Sequence, residues 1–511
     1  MSLRPALVFI GFMGAGKSTA AEAAREAGID CLDTDELLEA ELGMPIYEFF
    51  ERHGEEEFRR REGRFESALL READGGAIAL GGGSVLSESV REALGRHHVV
   101  WLQVDVESAW ERIEGSGRPL GRDRARFEAL LAERLPYYEG LADAVLPPGD
   151  PGQTGRALPH LMALDSLPDG TRMLWAASAG GEYPVYVGAG LLGAGWWPLE
   201  GRRFCVTDTT VGGLYADSVE PLAARIEVEP GEAAKTMDSA ARVLGELTEA
   251  GMRRTDHVVA LGGGVVGDLA GFCAHTYQRG VRLVGVPTTL VAQADSAYGG
   301  KTGVDLPQAK NYVGAYHLPA AVLADTSTLR SLPGRELAAG FAEVLKTGLL
   351  AGGSLWERVR GVDPLDPDAL GGLVFDCARY KCAVVAADER DAGLRQVLNL
   401  GHTVGHAIEA ASGYARHLHG EAVGLGLLAA LRLSGVDDLR DEASARLEAA
   451  GLPRRLDPEV GTDEVLEALA RDKKRTGAEV PFVLLSEPGK PRTGQVVEAD
   501  RVREAVEELR G

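Results

Sequence analysis

The 511-residue chain reads as an α/β protein in three structural units: α/β, α/β again, then mostly α-helical. Three observations predict this. Apolar runs of strand length repeatedly end in Gly, Asp or Thr turns that open helical patterns, as parallel βαβ units do. That alternation stops near Leu332, and helical periodicity prevails until "VPFVLLSE". A turn-rich stretch, "SLPDGT", separates the first unit from the second. The expected boundaries are 1–165, a linker over 166–182, then 183–331 and 332–511. At about 100–200 residues per domain, the length alone asks for about three domains.

The elements follow in order. "ALVFIGFMGAGKSTAAEAAREAG" is a strand, a glycine loop and a helix. "IDCLDTDELLEAEL" is a short strand and a helix, "AIALGGGSVLSESVREAL" repeats strand, turn and helix, and "HVVWLQVD" is another strand. "EYPVYVGAGLL" alternates with strand period and opens the second unit. "RRFCVTDTT", "HVVALGGGVVGDLAGFCAHTY" and "VRLVGVPTTLVAQADS" are strands running into turns and helices. "GRELAAGFAEVLKTGLLAG", "VFDCARYKCAVVAADE", "TVGHAIEAAS" and "GEAVGLGLLAALRLSG" are helical. The pentapeptide ALGGG occurs twice, from Ala79 and from Ala260, in different local patterns and with no fixed repeat period. The two copies read as convergent: each is a strand end where only glycine lets a ligand approach the backbone.

Composition narrows the function. A net charge of -23, spread along the chain, argues against nucleic acid and anionic membrane as partners and leaves small-molecule substrates. Five cysteines without a CxxC pair suit reduced thiols in the cytoplasm. No stretch approaches the roughly 18 apolar residues of a membrane span. The opening "MSLRPALVFIGF" lacks the core and cleavage site of a signal peptide.

In the first unit, Gly11 to Ser18 matches GxxxxGK[ST] between a strand and a helix. Such a loop wraps phosphates with backbone N–H groups. Lys17 would reach the β- and γ-phosphates, and Ser18 would bind Mg²⁺. Gly14, Ala15, Gly16 and Thr19 complete the expected ATP loop. Asp33 and Asp35 in "LDTD" share one face of a strand end, a pattern that taken alone also serves as an N-cap and turn. Arg59, Arg60 and Arg61 in "EEEFRRREGRFE" lie on a helix and taken alone read as a solvated charged face.

Together "GFMGAGKST", "LDTD", "EFRR", "GGGSV", "GRPL" and "ERLPYY" agree in order and spacing with the shikimate kinase pattern, and the resemblance covers about the first 165 residues. It implies a nucleoside-monophosphate-kinase-like parallel sheet, with ATP and Mg²⁺. It implies that Asp35, Arg59 and Arg134 hold shikimate, with Gly81, Gly82 and Gly83 around its hydroxyls. Asp33 then works on the Mg²⁺ side and orients the nucleophilic hydroxyl, and Arg118 reaches over ATP from a lid. The segment between "RPL" and "ERLPYY" is short for that lid. An arginine pair suits a carboxylate bidentately, an aspartate suits a diol, and phosphoryl transfer needs positioning above all.

In the second half, "GGGVVGDLAGF" is a glycine turn after a strand, a weak dinucleotide signal by itself. His402 and His406 are four apart on one helical face, His417 and His419 follow, and Glu343 and Lys346 lie three apart on another helix. Two histidines and a carboxylate make a catalytic metal set with an open position. By spacing alone the pair would be His402 and His406, although no glutamate stands beside His402.

From about Tyr183 onward, "GGGVVGDLAGFCAHTYQRG", "VPTTLVAQADSAYGGKTGVDLPQAKNYVGA", "GFAEVLKTG", "DERDAGLRQVLNLGHTVGHAIE" and "HGEAVGLG" resemble 3-dehydroquinate synthase. The resemblance implies a Rossmann-type α/β domain followed by a helical one, and a Zn²⁺ or Co²⁺ ion on Glu343, His402 and His419. His406 then stands near the substrate and His417 falls outside the motif. NAD⁺ is expected on Gly262, Gly263, Gly264 and Asp268, with Asp208, Glu232, Lys235, Thr288 and Thr289 around it. Asp295, Lys301, Lys310, Asn311, Lys346, Lys381, Arg395 and Asn399 become the groups for 3-deoxy-D-arabino-heptulosonate 7-phosphate, joined by Lys473 or Lys474. Of these, Lys301, Lys346 and Lys381 are the expected catalytic groups along with His406. Arg279 is expected to reach the phosphate site of a neighbouring subunit in a homodimer formed through this half. The family oxidises a ring hydroxyl with NAD⁺, eliminates phosphate, reduces the ketone, then opens the ring and closes it as a carbocycle. A generic kinase fused to a glycerol-dehydrogenase-like enzyme would not need "GGKTG", "KN" and "LRxxLN" together. A non-catalytic sensor would not need every catalytic position filled.

Overall fold

The computed structural model describes residues 3–113, 123–413, 416–476 and 480–510. The chain divides into two compact units, Met1–Ala177 with Pro184–Tyr186, and Ser178–Tyr183 with Val187–Gly511.

The first unit runs β1 (Leu7–Ile10), α1 (Lys17–Glu26), β2 (Cys31–Asp33), α2 (Thr34–Leu42), α3 (Ile46–Glu72, broken at Gly54), β3 (Ala77–Ala79), α4 (Glu88–Leu94), β4 (His98–Leu102), α5 (Val106–Ile113), α6 (Arg124–Leu141), β5 (Ala144–Leu146), α7 (Gln153–Met162) and β6 (Arg172–Ser178). Its strands lie in the order β2-β3-β1-β4-β5-β6, every pair parallel. "LVFI" of β1 is buried throughout, as a central parallel strand covered on both faces requires. Neighbours β1 and β3 send the chain to opposite sides, to β2 and to β4. That reversal opens a crevice at their C-terminal ends, and both glycine turns of this unit end there.

The expected linker over 166–182 is corrected. "RMLWAAS" forms β6, pairs with β5 through Ala144↔Met173 and Val145↔Leu174, and buries Met173–Ala176. Only the turn around Pro168–Thr171 matches the expectation, closed by the Thr171 N–H donating to the Pro168 carbonyl at 3.1 Å. The proline and glycine of "SLPDGT" masked the strand that follows.

After β7 (Gly181–Gly188), the chain runs β8 (Arg203–Asp208), α8 (Thr209–Tyr215), β9 (Leu222–Val228), α9 (Met237–Glu249), β10 (His257–Gly262), α10 (Gly264–Thr276), β11 (Arg282–Pro287), β12 (Lys301–Leu306), β13 (Ala309–Tyr316) and β14 (Ala321–Asp325). The parallel order here is β14-β11-β10-β8-β9. Again two neighbours, β8 and β10, lead to opposite sides, so the ends of "CVTD" and "ALG" flank a crevice. β12 and β13 form an antiparallel hairpin.

The rest is helical: α11 (Gly334–Ala351), α12 (Gly353–Gly361), α13 (Pro367–Ala387), α14 (His402–Ala411), α15 (His419–Ser434), α16 (Asp437–Ala449), α17 (Thr462–Thr476) and, after the hairpin β15 (Phe482–Leu485) and β16 (Pro491–Gln495), α18 (Ala499–Glu508). Helix α11 is buried on all sides from Leu337 to Leu350, as its apolar circumference demands. Helices α14 and α15 cross closely: a Cβ on Gly426 would collide with the Gly401 carbonyl. Among the described residues no helix is long and apolar enough to cross a membrane.

Candidate active sites

In the first unit the β1 loop closes on its own lysine. Lys17 Nζ donates to the carbonyls of Gly11 at 2.9 Å and Phe12 at 3.1 Å. Gly14 and Gly16 take φ of 80° and 89°, which glycine adopts without strain. Ala15 lies in the loop between them, and Ser18 and Thr19 fall in the first turn of α1. Ser18 Oγ donates to Asp33 Oδ2 at 3.0 Å, so these two oxygens already share one spot. Asp33 also caps α2 by accepting from the Asp35 N–H at 3.0 Å, so the N-cap reading holds.

Across the crevice, Asp35 Oδ1 and Glu62 Oε1 lie beside Gly81, within 3.3 and 2.6 Å of where its Cβ would stand. A Cβ on Gly83 would collide with the Arg59 guanidinium. Arg59 Nη1 donates to Glu62 Oε2 at 2.5 Å. Arg134, 1% exposed, donates through Nη1 to the Gly82 carbonyl at 3.0 Å, and the Tyr138 hydroxyl donates to the same oxygen at 2.7 Å. Arg59 Nε and Arg134 Nε and Nη2 are buried without a hydrogen-bond partner among the described residues. Two guanidiniums with unmet donors are what a small carboxylate satisfies. Asp33, Asp35, Arg59, Arg134 and the three glycines therefore converge. Arg118 lies outside the described residues.

Sequence reasoning passed over Glu62 and Tyr138. Glu62 is legible as the residue three beyond Arg59 on one helical face; Tyr138, four beyond Arg134, needed the fold.

In the second unit, Gly262, Gly263 and Gly264 join β10 to the N-terminus of α10 and line a cleft with Asp268, Ser296 and Lys301. The Thr288 N–H donates to the Gly262 carbonyl at 3.0 Å, and Thr288 Oγ1 is buried without a hydrogen-bond partner among the described residues. Thr289 packs on Gly263, its Cγ2 2.9 Å from where a Cβ would be. Lys235 lies 2.5 Å from Asp268 and donates to Asn311 Oδ1 at 2.5 Å. Glu232 pairs with Lys310 at 3.5 Å. Lys310 and Asn311, expected with the phosphorylated acid, thus stand with the Glu232–Lys235–Asp268 group. Asp208, at the end of β8, caps α8 by accepting from Thr210 and Val211 N–H groups at 2.9 and 2.8 Å.

Glu343 and Lys346 project from the buried α11, His402 opens α14 and His419 opens α15. Ligand atoms of Glu343, His402 and His419 all lie within 4.8 Å of one another. His402 Nε2 is 3.4 Å and His419 Nε2 3.2 Å from Glu343 Oε1. The outer ring nitrogens are engaged elsewhere: His402 Nδ1 meets the Leu400 carbonyl at 3.3 Å, and His419 Nδ1 faces Glu409 Oε1 at 3.6 Å. That leaves both Nε2 atoms facing Glu343 Oε1, whose other carboxylate oxygen faces Lys346. A divalent cation fits such a donor set. His406 lies with them, its ring 5.3 Å from His402 and 6.0 Å from His419. His406, Glu409 and His419 form a second convergent group, and Glu409 is another residue that sequence reasoning missed.

Beside the triad, Asp295 receives Lys381 at 2.9 Å and Lys346 at 3.5 Å, and Lys346 is 2.6 Å from Glu343 Oε2. Burial would raise the Asp295 carboxyl, but the two ammonium groups outweigh it and hold it at about 2. Burial also works upward on Glu343, which Lys346 and His402 hold well below the usual carboxylate range. Lys381 is pushed down by burial, despite Asp295, with Lys346 adding to the fall. Its neighbour Lys346 is raised, because Asp295 and Glu343 outweigh burial. Two lysines on one aspartate thus differ in how readily they give up a proton.

Lys301 pairs instead with Asp391 at 2.5 Å. Arg395 is buried and donates to the Glu389 carbonyl at 2.7 Å. Asn399 shares a second cleft with Asp391 and Gln396. Arg279 is exposed at a left-handed backbone position, φ 66°. The side chains of Lys473 and Lys474 lie outside the described residues.

Comparison with known proteins assigns both units. The shikimate kinase family matches residues 13–152. The N-terminal and C-terminal parts of 3-dehydroquinate synthase match 225–339 and 340–475. A 3-dehydroquinate synthase of Symbiobacterium thermophilum is 45% identical over 352 residues, 64% of this chain and 98% of that protein. One from Halorhodospira halophila is 44% identical over 337 residues, covering 62% and 94%. A structure of 2-deoxy-scyllo-inosose synthase complexed with carbaglucose-6-phosphate, NAD⁺ and Co²⁺ aligns with TM-score 0.60 at 26% identity, over 66% of this chain and 99% of that one. A 2-epi-5-epi-valiolone synthase from Streptomyces hygroscopicus subsp. jinggangensis 5008, with NAD⁺ and Zn²⁺ bound, aligns with TM-score 0.58 at 26% identity, covering 64% and 96%. The chain belongs to the 3-dehydroquinate synthase family and carries, ahead of that enzyme, a shikimate kinase domain.

Proposed function

We propose that the two units run two reactions of the shikimate pathway, each at the site built within it: ATP-dependent phosphorylation of shikimate in the first, formation of 3-dehydroquinate and phosphate from the heptulosonate phosphate in the second. The domain limits follow: kinase over 1–165, synthase over 183–331 and 332–511.

In the kinase, Arg59 and Arg134 take the shikimate carboxylate with their unmet donors, while Asp35 and the Gly81–Gly83 backbone take its hydroxyls. Asp33 orients the attacking hydroxyl. Lys17 swings from its loop carbonyls to the β- and γ-phosphates, and the loop amides of Gly14 to Thr19 hold the nucleotide. Mg²⁺, when bound, would rest on Ser18 and Asp33 and neutralise charge on the transferred phosphoryl.

In the synthase, the Gly262–Gly264 turn, Asp268, Thr288 and Thr289 would hold NAD⁺, with Asp208, Glu232 and Lys235 beside it. Glu343, His402 and His419 would hold Zn²⁺ or Co²⁺, which when bound would lower the pKa of the reacting hydroxyl and so favour hydride loss from the carbon that bears it. Lys346 and Lys381 bind acidic oxygens and keep Asp295 ionised, and His406 is placed to move a proton at the substrate. Lys301, Arg395, Asn399 and Lys473 or Lys474 receive the phosphate and carboxylate, with Asn311 and Lys310 at the boundary with NAD⁺. Arg279 serves a partner's phosphate site in a homodimer. A cytoplasmic setting suits five buried free cysteines.

The convergence of Glu343, His402 and His419 next to Asp295, Lys346 and Lys381 carries the synthase reading. Its test is metal content in two purified variants. His419→Ala should lose tight metal binding; His406→Ala should keep stoichiometric metal and lose turnover. The reverse pattern assigns the ligands to the other histidine pair.

A further inference from the structure

One turn beyond Glu62, helix α3 carries a second buried carboxyl, Glu66, 1% exposed. Its Oε1 accepts from three donors: Thr34 Oγ1 at 2.8 Å, Ser84 Oγ at 2.8 Å and the Gly81 N–H at 3.3 Å. Its Oε2 is buried with no hydrogen-bond partner among the described residues.

The three donors come from both walls of the crevice. Thr34 stands between Asp33, which receives Ser18, and Asp35, which reaches Gly81. Gly81 and Ser84 bound the glycine turn, whose Gly82 carbonyl takes Arg134 and Tyr138. A single oxygen therefore ties the Asp33–Asp35 turn to the glycine turn. Burying a carboxyl with one bare oxygen costs stability. Apolar residues in its place and its donors' places would pack at less cost, so fold stability alone does not account for it.

We propose that Glu66 is a positioning residue of the kinase site: its Oε1 holds the Asp33–Asp35 turn and the Gly81–Ser84 turn at one spacing, so that shikimate meets both walls together. The charged group acting on Glu66 is Glu62 on its own helix, which in turn meets Arg59, Asp35 and Arg134. Burial, then the charge of Glu62, pushes the Glu66 carboxyl up to about 8, in keeping with a neutral acid.

The inference rests on the kinase reading of this unit, and the two fail differently. If the wild-type chain does not phosphorylate shikimate, the kinase reading falls. The inference itself is tested on the full chain with Glu66→Leu, Glu66→Gln and Ser84→Ala, measuring kcat and both KM values, with synthase turnover and ATP KM as controls. Glu66→Leu should raise the shikimate KM about tenfold or more and leave the ATP KM within about twofold, because it loosens a geometry made for one substrate. Glu66→Gln keeps the Oε1 acceptor and should stay within about threefold of wild type. Ser84→Ala removes one donor and should give a smaller rise in shikimate KM, a result that decides the matter even where Glu66→Leu does not fold. An unchanged shikimate KM in Glu66→Leu or Ser84→Ala, equal rises for both substrates, or a Glu66→Gln enzyme no better than Glu66→Leu overturns it.

Discussion

Arg59 and Arg134 show what single residues contribute. Arg59 is held between Glu62 and the rings of Phe50 and Phe58, its guanidinium carbon 5.7 and 5.3 Å from their centroids. That clamp fixes a planar fork and leaves Nε without a hydrogen bond among the described residues, 3.7 Å from Glu55 Oε1. Arg59→Lys keeps the charge but loses the fork, so shikimate should bind about 1–3 kcal/mol more weakly with ATP affinity little changed. Calorimetric titration of each ligand checks this, and unchanged shikimate binding would put the carboxylate elsewhere. Glu66 makes a pH prediction. Its folded-state carboxyl is raised to about 8 from an ordinary value near 4.5. The folded chain therefore holds a proton that the unfolded chain has lost, and its stability falls as pH rises from about 4.5 towards about 8. The kinase unit of wild type should melt lower at about pH 9 than at about pH 6, and Glu66→Gln should show a smaller drop. Equal drops in both proteins would remove Glu66 as the cause.

At the scale of elements, the proposed metal triad depends on how closely two helices pass. Gly426 of α15 lies against the Gly401 carbonyl, and Gly405 of α14 against the backbone of Ala422. These contacts bring the first residues of α14 and α15, His402 and His419, to one carboxylate. Backbone cannot yield as a flexible side chain would, so Gly426→Ala should push the helices apart and cost about 1–3 kcal/mol. Metal content of the purified variant should fall, with shikimate phosphorylation unchanged. Full metal occupancy would mean that the crossing tolerates a methyl group.

Across the whole molecule, the two units each build a crevice by the same rule, where neighbouring parallel strands send the chain to opposite sides. Each has its own site, and separate domains couple weakly as a rule. Lys17→Ala should abolish shikimate phosphorylation while synthase turnover stays within about twofold of wild type. A parallel collapse of synthase turnover would show that the units do not work independently.

The α/β class, the phosphate loop and the order of units were legible because they rest on local rules: apolar period, turn chemistry and the spacing of GxxxxGKS. Glu343, His402 and His419 are not related by any local spacing. Spacing alone pointed to His402 and His406, and only the resemblance to a family singled out the set that three separate helices bring within 4.8 Å. The strand β6 was hidden because "LPDG" looks like a linker, whereas burial against β5 decides that the next seven residues extend a sheet. Lys310 and Asn311 sit beside Lys235 and Glu232 because the β12–β13 hairpin folds them there. Glu66 read as one charge among many on an exposed-looking helix. Its burial, its three donors and its bare oxygen exist only once α3 packs on both walls of the crevice, because hydrogen bonds between distant segments have no signature in the order of residues.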